Sequence, residues 1–220
     1  TVEQFRAIIR SGDFAGTSFH RVIDDFMAQG GDIFALKGRE SGLPDIPGEF
    51  VFKRKPSEMP FDLIGRPETA TNGYYMGFPM QTQSRFLAEM TADGMVESWI
   101  PHCASVVSTA RTEDPNSANS QFFLMRHTRQ HLDREYTAWG RIVGGQDVVM
   151  SIKHGPSAQN GAVRQPDILV KAQMAADLPE SERPAVLVQR TDGPAFASSL
   201  EADEDTNVCD LPPVPTIVAP

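Results

Sequence analysis

Two short apolar runs set the first constraint on this chain. Phe19-His20-Arg21-Val22-Ile23 and Phe26-Met27-Ala28-Gln29 are parted by Asp24-Asp25 and closed by Gly30-Gly31. Runs of this length, bounded by turn formers, predict a pair of strands over 18–23 and 26–29. A third run, 120–125, follows the turn Asp114-Pro115-Asn116. Further strands are predicted over 49–53, 104–110 and 136–143. Residues 167–175 alternate so that Ile168, Val170, Ala172 and Met174 share one face, the pattern of a half-buried strand.

The predicted helices are short. Thr1-Val2-Glu3-Gln4 carries the residues of a capping box ahead of Phe5, Ile8 and Ile9 at helical spacing, with a stop at Ser11-Gly12. A second helix is predicted over 84–91, with Phe86, Leu87 and Met90 on one face. A third covers 147–153 with Val148, Val149 and Ile152 inward, and Gly155 reads as its left-handed cap. Strands outnumber helices, so the class is mainly β, and short strands with tight turns suit a barrel or sandwich. Residues 33–101, interrupted by Gly and Pro, read as a long irregular insertion on that scaffold. The tail differs again. A linker at 179–184, one more strand at 185–189, an acidic loop or frayed helix at 201–206 and a Pro-rich end predict an extension packed on the main body.

Composition removes several functions. The net charge is −9, from 20 basic and 29 acidic residues, which argues against a nucleic-acid surface. No apolar run reaches membrane-spanning length. Cys103 and Cys209 stand outside any CxxC pattern, and a single disulfide and two free thiols are equally open. His127 and His131 are four apart, but the Glu of HExxH and a third ligand are missing, so no metal centre is expected. Asp203-Glu204-Asp205 lacks the calcium-loop pattern and reads as solvated. A GxSxG elbow is absent too, which removes the common hydrolase route.

What remains is one arginine and two glutamines among apolar side chains. Alternation puts Met27 and Gln29 on one strand face and Gln121 and Phe123 on another, leaving Phe122 and Leu124 for the core. Such a set could act on an amide, and the resemblance of these segments to the cyclophilin family of peptidyl-prolyl cis-trans isomerases implies that it is the X–Pro amide, whose rotation faces a barrier of about 18–20 kcal/mol. In the twisted amide resonance is lost and the prolyl nitrogen gains a lone pair. A cation or donor aimed at that nitrogen favours the twisted state alone, while an apolar pocket grips the ring.

In these segments the chain resembles the cyclophilin family of peptidyl-prolyl cis-trans isomerases. The resemblance runs over residues 1–176. It rests on Phe19-His20-Arg21, Phe26-Met27-Ala28-Gln29-Gly30-Gly31-Asp32 and Pro115-Asn116-Ser117-Ala118-Asn119-Ser120-Gln121-Phe122-Phe123. His131-Leu132-Asp133, Trp139-Gly140-Arg141-Ile142-Val143 and Asp147-Val148-Val149 extend it. It implies an eight-stranded antiparallel barrel capped by two short helices, with the site on the outer wall. Within it, 33–101 would be an insertion, and 177–220 an extension. The family opens with two strands that this chain lacks. The resemblance therefore implies a fragment; the other reading lets the tail strand near residues 186–188 substitute for them.

Carried over by position, the resemblance makes Arg21 the catalytic arginine, with Gln29 and Gln121 holding the substrate and positioning Arg21. Phe26, Met27, Phe123 and Leu132 would line the proline pocket. Thr112 stands where the family usually has Asn, a position that meets the ligand through its backbone; Arg111 and Glu113 beside it would alter the neighbouring groove. His131 replaces a pocket-edge Trp, which argues against cyclosporin binding, and Tyr136 replaces a pocket His. The implied partners are proline-containing polypeptides acted on by a monomer without cofactor. The insertion and tail resemble a bacterial subgroup associated with the periplasm. A non-catalytic scaffold that only binds proline segments is the rival expectation, and the retained Arg21, Gln29 and Gln121 argue for catalysis.

Overall fold

The computed structural model describes residues 1–200, 202–203 and 205–219, so the acidic stretch expected over 201–206 falls in part outside them. The expected hairpin is present as β1 (Arg21–Ile23) and β2 (Met27–Gly30). β2 continues into β9 (Phe122–Met125), then β8 (Val106–Thr109), then β10 (Ala138–Arg141), every pairing antiparallel. Directly opposed residues share a sheet face. Arg21 opposes Gln29, Gln29 opposes Phe123, and Phe123 opposes Ser108, so these four side chains form one row across four strands. The next row runs Ile23, Met27 and Met125.

Both faces of this sheet are covered. On the side opposite the row, α1 (Val2–Ser11) lays Phe5 and Ile8 against Phe122, Phe14 and Ile33 of α2 (Ile33–Lys37). Burial of each such side chain contributes roughly 1.5–3 kcal/mol. The capping box does not form. Thr1 is the N-cap, but its hydroxyl donates to Glu49 at 2.5 Å, and the Gln4 amide reaches the Asn119 carbonyl. Long-range partners have outcompeted the local ones.

The stretch read as irregular contains a second sheet. It comprises β3 (Phe52–Arg54), β4 (Asp62–Leu63), β5 (Asn72–Tyr75), β6 (Phe78–Thr82) and β7 (Val96–Trp99) in the order β3-β7-β6-β5-β4. A polar knot is buried in it. Arg54 is 6 % exposed and donates to Ser98 Oγ at 3.0 Å, Thr82 Oγ1 at 3.1 Å and the Met59 carbonyl at 2.8 Å, and it stacks on Phe61. Beside this sheet the helix α3 (Arg85–Met90) buries Ala88, whereas Phe86 and Met90, expected on one face, turn that face to solvent.

The tail supplies β11 (Ala185–Val188), α5 (Pro194–Ser199) and β12 (Thr216–Ala219). β11 pairs only with β12 among the described residues, so it replaces no strand of the main sheet. Phe196, Val208 and Val214 enter one apolar cluster with Tyr74 of the second sheet and with Met27, Val106, Phe123 and Met125 of the first. A disulfide joins Cys103 to Cys209 across 106 residues and settles the question of the thiols. The tail thus fills the seam between the sheets.

Two further expectations are corrected. Residues 167–175 form no continuous strand; only 167–169 pair with 16–19, through the Ser18–Ile168 bridge and three main-chain bonds, with Ile168 and Val170 exposed and Leu169 packed on the core. Of the apolar face, Ile168 and Val170 point outward while Ala172 packs on the core. The helix α4 (Gln146–Ser151) buries Val149 and leaves Val148 exposed; it ends at Ile152 in an extended conformation. Gly155 is not a left-handed cap: a Cβ there would meet the Ala162 carbonyl, so close backbone approach explains it.

Candidate active site

The row of side chains ends in a cleft of about 420 Å³. Met27, Phe123 and Leu132 are buried at its base, 1 %, 5 % and 6 % exposed. Phe26 and Tyr136 are half-buried at its sides, the Tyr136 ring meeting Phe123 edge-on at 5.8 Å. His131 is exposed at the rim, 6.0 Å from the Phe26 ring. Arg21 and Gln29 complete the lining.

The polar side is a relay. Arg21 Nη1 donates to Gln29 Oε1 at 3.0 Å, and Gln29 Nε2 donates to Gln121 Oε1 at 2.9 Å. Each glutamine amide is thereby oriented by its neighbour. Arg21 is held from its other side by Asn160, through Nη2 to Oδ1 at 2.9 Å and Nε to the main-chain carbonyl at 3.2 Å. Three donors of a planar fork are thus aimed, which a lysine ammonium could not reproduce. Burial presses the Arg21 pKa below its ordinary value, with the Tyr136 phenol acting the other way. The guanidinium stays charged at neutral pH, and partial desolvation strengthens its field.

Gln121 and Thr112 line an adjoining cleft of about 430 Å³ rather than the first; Gln29, Ala110 and Arg111 form the divide between the two. Arg111 is tied down at that divide. It donates to the carbonyls of Glu135 at 2.9 Å and Thr112 at 2.9 Å, and its charge lies 4.5 Å from the Tyr136 ring centre. Thr112 takes part through its backbone, donating N–H to Ser117 Oγ at 2.9 Å.

Sequence reasoning missed Ala110 and Glu135 in the cleft and Asn160 behind Arg21. Asn160-Gly161 is a recognisable turn pair, but nothing in it pointed to an arginine 139 residues away. Gly161 has φ +73° and accepts from Val22 N–H at 2.8 Å, and a Cβ on it would lie 2.8 Å from the Val22 carbonyl. Gly161→Ala is expected to destabilise by about 1–3 kcal/mol through that strain, measured by urea unfolding. Since the shift also moves Asn160, turnover at full folding should drop as well; an unchanged unfolding midpoint would show the turn to be plastic.

The family model of cyclophilin type peptidyl-prolyl cis-trans isomerases matches residues 1–174. The chain belongs to the cyclophilin family. A probable peptidyl-prolyl cis-trans isomerase of Brucella abortus is 34 % identical over 187 residues, 80 % of this chain and 71 % of that protein. A peptidyl-prolyl cis-trans isomerase of Streptomyces antibioticus is 32 % identical over 161 residues, 70 % of this chain and 69 % of the relative. In fold, this cyclophilin is similar to the crystal structure of cyclophilin AquaCyp293 from Hirschia baltica, at TM-score 0.90 and 46 % identity, covering 99 % of this chain and 82 % of that one. The mainly antiparallel β architecture is therefore a cyclophilin fold, and the activity is that of a peptidyl-prolyl cis-trans isomerase.

Proposed function

We propose that this cyclophilin isomerises X–Pro bonds with Arg21 as its catalytic group and Gln29 and Gln121 as its substrate-holding pair. Support comes above all from the relay that fixes Arg21 beside an apolar cavity: a charged fork, held at both ends, facing buried Met27, Phe123 and Leu132. Apolar surface grips the prolyl ring, while Gln29 and Gln121 offer amide groups to the peptide backbone. As the carbonyl swings out of plane, the prolyl nitrogen becomes pyramidal and basic, and an Arg21 N–H donates to it. That bond exists only in the twisted state, which is the requirement for acceleration rather than mere binding. No bond to carbon breaks, and no cofactor enters.

The substrates are proline-containing segments of other polypeptides, so the cellular role is assistance to folding. The working unit is read as a monomer. His131 at the rim, in place of the family's indole, argues against tight cyclosporin binding. Export to the periplasm of a bacterium is favoured by the Cys103–Cys209 bridge, since reducing compartments keep such thiols open.

The test is paired measurement of turnover and peptide binding in the wild type and Arg21→Ala. Turnover lost with binding kept supports the role; loss of both together makes Arg21 a ground-state anchor and overturns it.

A further inference from the structure

The geometry points to a positioning pair, His102 with Asp133, that holds the apolar side of the cleft from behind. It rests on reading the cleft as the proline site. His102 immediately precedes the bridged Cys103, is 1 % exposed, and lines no part of the cleft. Its polar groups nevertheless go to the elements that do.

Its carbonyl accepts from the Arg129 N–H at 3.0 Å. Its own N–H donates to Asp133 Oδ1 at 2.6 Å, and its Nδ1 lies 2.9 Å from the same oxygen. Arg129 and Asp133 are the two caps of a single 3₁₀ turn, Gln130–Leu132. One residue therefore grasps both ends of the turn that delivers His131 and Leu132 to the cleft. Turns of this kind are weak on their own and take their geometry from what they pack against. The imidazole stacks on Phe123 with centroids 6.1 Å apart and planes at 22°, and its Nε2 lies 3.1 Å from Ser108 Oγ, on the residue opposite Phe123. Base and wall of the cleft are referred to the same buried ring.

This arrangement separates binding from acceleration. Leu132 and Phe123 grip the prolyl ring in its planar and twisted forms alike, while the Arg21 relay lies on the other side and does not touch His102. Loosening the grip removes uniform binding, which raises KM and spares kcat. A merely structural role would act otherwise: part of the enzyme would unfold, lowering apparent kcat at unchanged KM.

The experiment measures both constants on a short proline peptide with the full chain. Asp133→Ala is expected to raise KM about tenfold with kcat within about twofold of wild type. Asp133→Asn keeps an acceptor oxygen for both bonds and should restore KM to within about threefold. His102→Phe keeps the stack and the main-chain bonds and should fall between them. A fall in apparent kcat at unchanged KM, equal damage from the Ala and Asn variants, or no change in KM would each overturn the proposal. If Asp133→Ala fails to fold, His102→Phe carries the same comparison, because its main-chain bonds to the turn survive. Arg21→Ala runs alongside: full turnover in that variant overturns the reading of the cleft itself, whatever the KM series shows.

Discussion

Arg21→Ala is expected to lower kcat by about 10²–10³-fold, the range found when a preorganised donor to a developing charge is removed. Peptide affinity should change by less than about threefold, because the ring-gripping side chains are untouched and Arg21 has no strong partner in the planar substrate. Folding should be nearly unaffected. Arg21 is only half-buried, and its loss leaves Gln29 Oε1 and Asn160 Oδ1 at a solvated cleft rather than in a dry core. Arg21→Lys keeps charge but loses the fork, so it should recover part of the rate and no more. The checking measurement is a coupled isomerisation assay beside calorimetric peptide binding. An Arg21→Ala enzyme within tenfold of wild type would place the rate enhancement elsewhere, in the apolar grip alone.

Cys209→Ser is expected to be the most destabilising single change in the tail. The bridge closes a separation of 106 residues, and the chain-entropy model assigns about 4.7 kcal/mol to loops near that length, with native disulfides typically contributing about 2–5 kcal/mol. Cys103 is 6 % exposed in one cluster with Val106, Val208 and Val214, so the bridge is anchored at a buried end. For a chain of this size each kcal/mol moves the melting point by about 2–4 °C, so a shift of the order of 10 °C is expected. A reducing agent should produce the same shift in the wild type and none in the variant. Equal response of both to the reducing agent would mean that the bridge contributes nothing.

The main sheet was legible because its strands obey simple rules. The two acids between Ile23 and Phe26, and the glycines after Gln29, mark a hairpin whatever surrounds it. Alternation correctly separated Met27, Gln29 and Phe123 from Phe122 and Leu124. Both faces proved buried, however, because the tail and second sheet share a cluster with Met27 and Phe123. The second sheet was hidden because its interior is polar. Arg54, Thr82 and Ser98 are buried as a hydrogen-bonded group, and such residues read as surface when only hydropathy is available. Its strands are also short, and Pro79 lies inside one. Residues 167–175 misled for the converse reason: a clean alternation says which side chains share a face, not which face is covered. At the site, residues within strands were found by position, whereas Asn160 and His102 act across 139 and 31 residues, distances at which a single sequence carries no signal.

The bridge also makes residues 103–209 a closed ring that holds β8, β9, β10 and most of the tail. The exposed stretch 179–183 lies on that ring, and exposed linkers are where proteases cut. A cut there opens the ring without releasing either piece. The nicked protein would run as one band on a gel without reductant and as two with it, and Phe196, Val208 and Val214 would keep their places beneath the cleft.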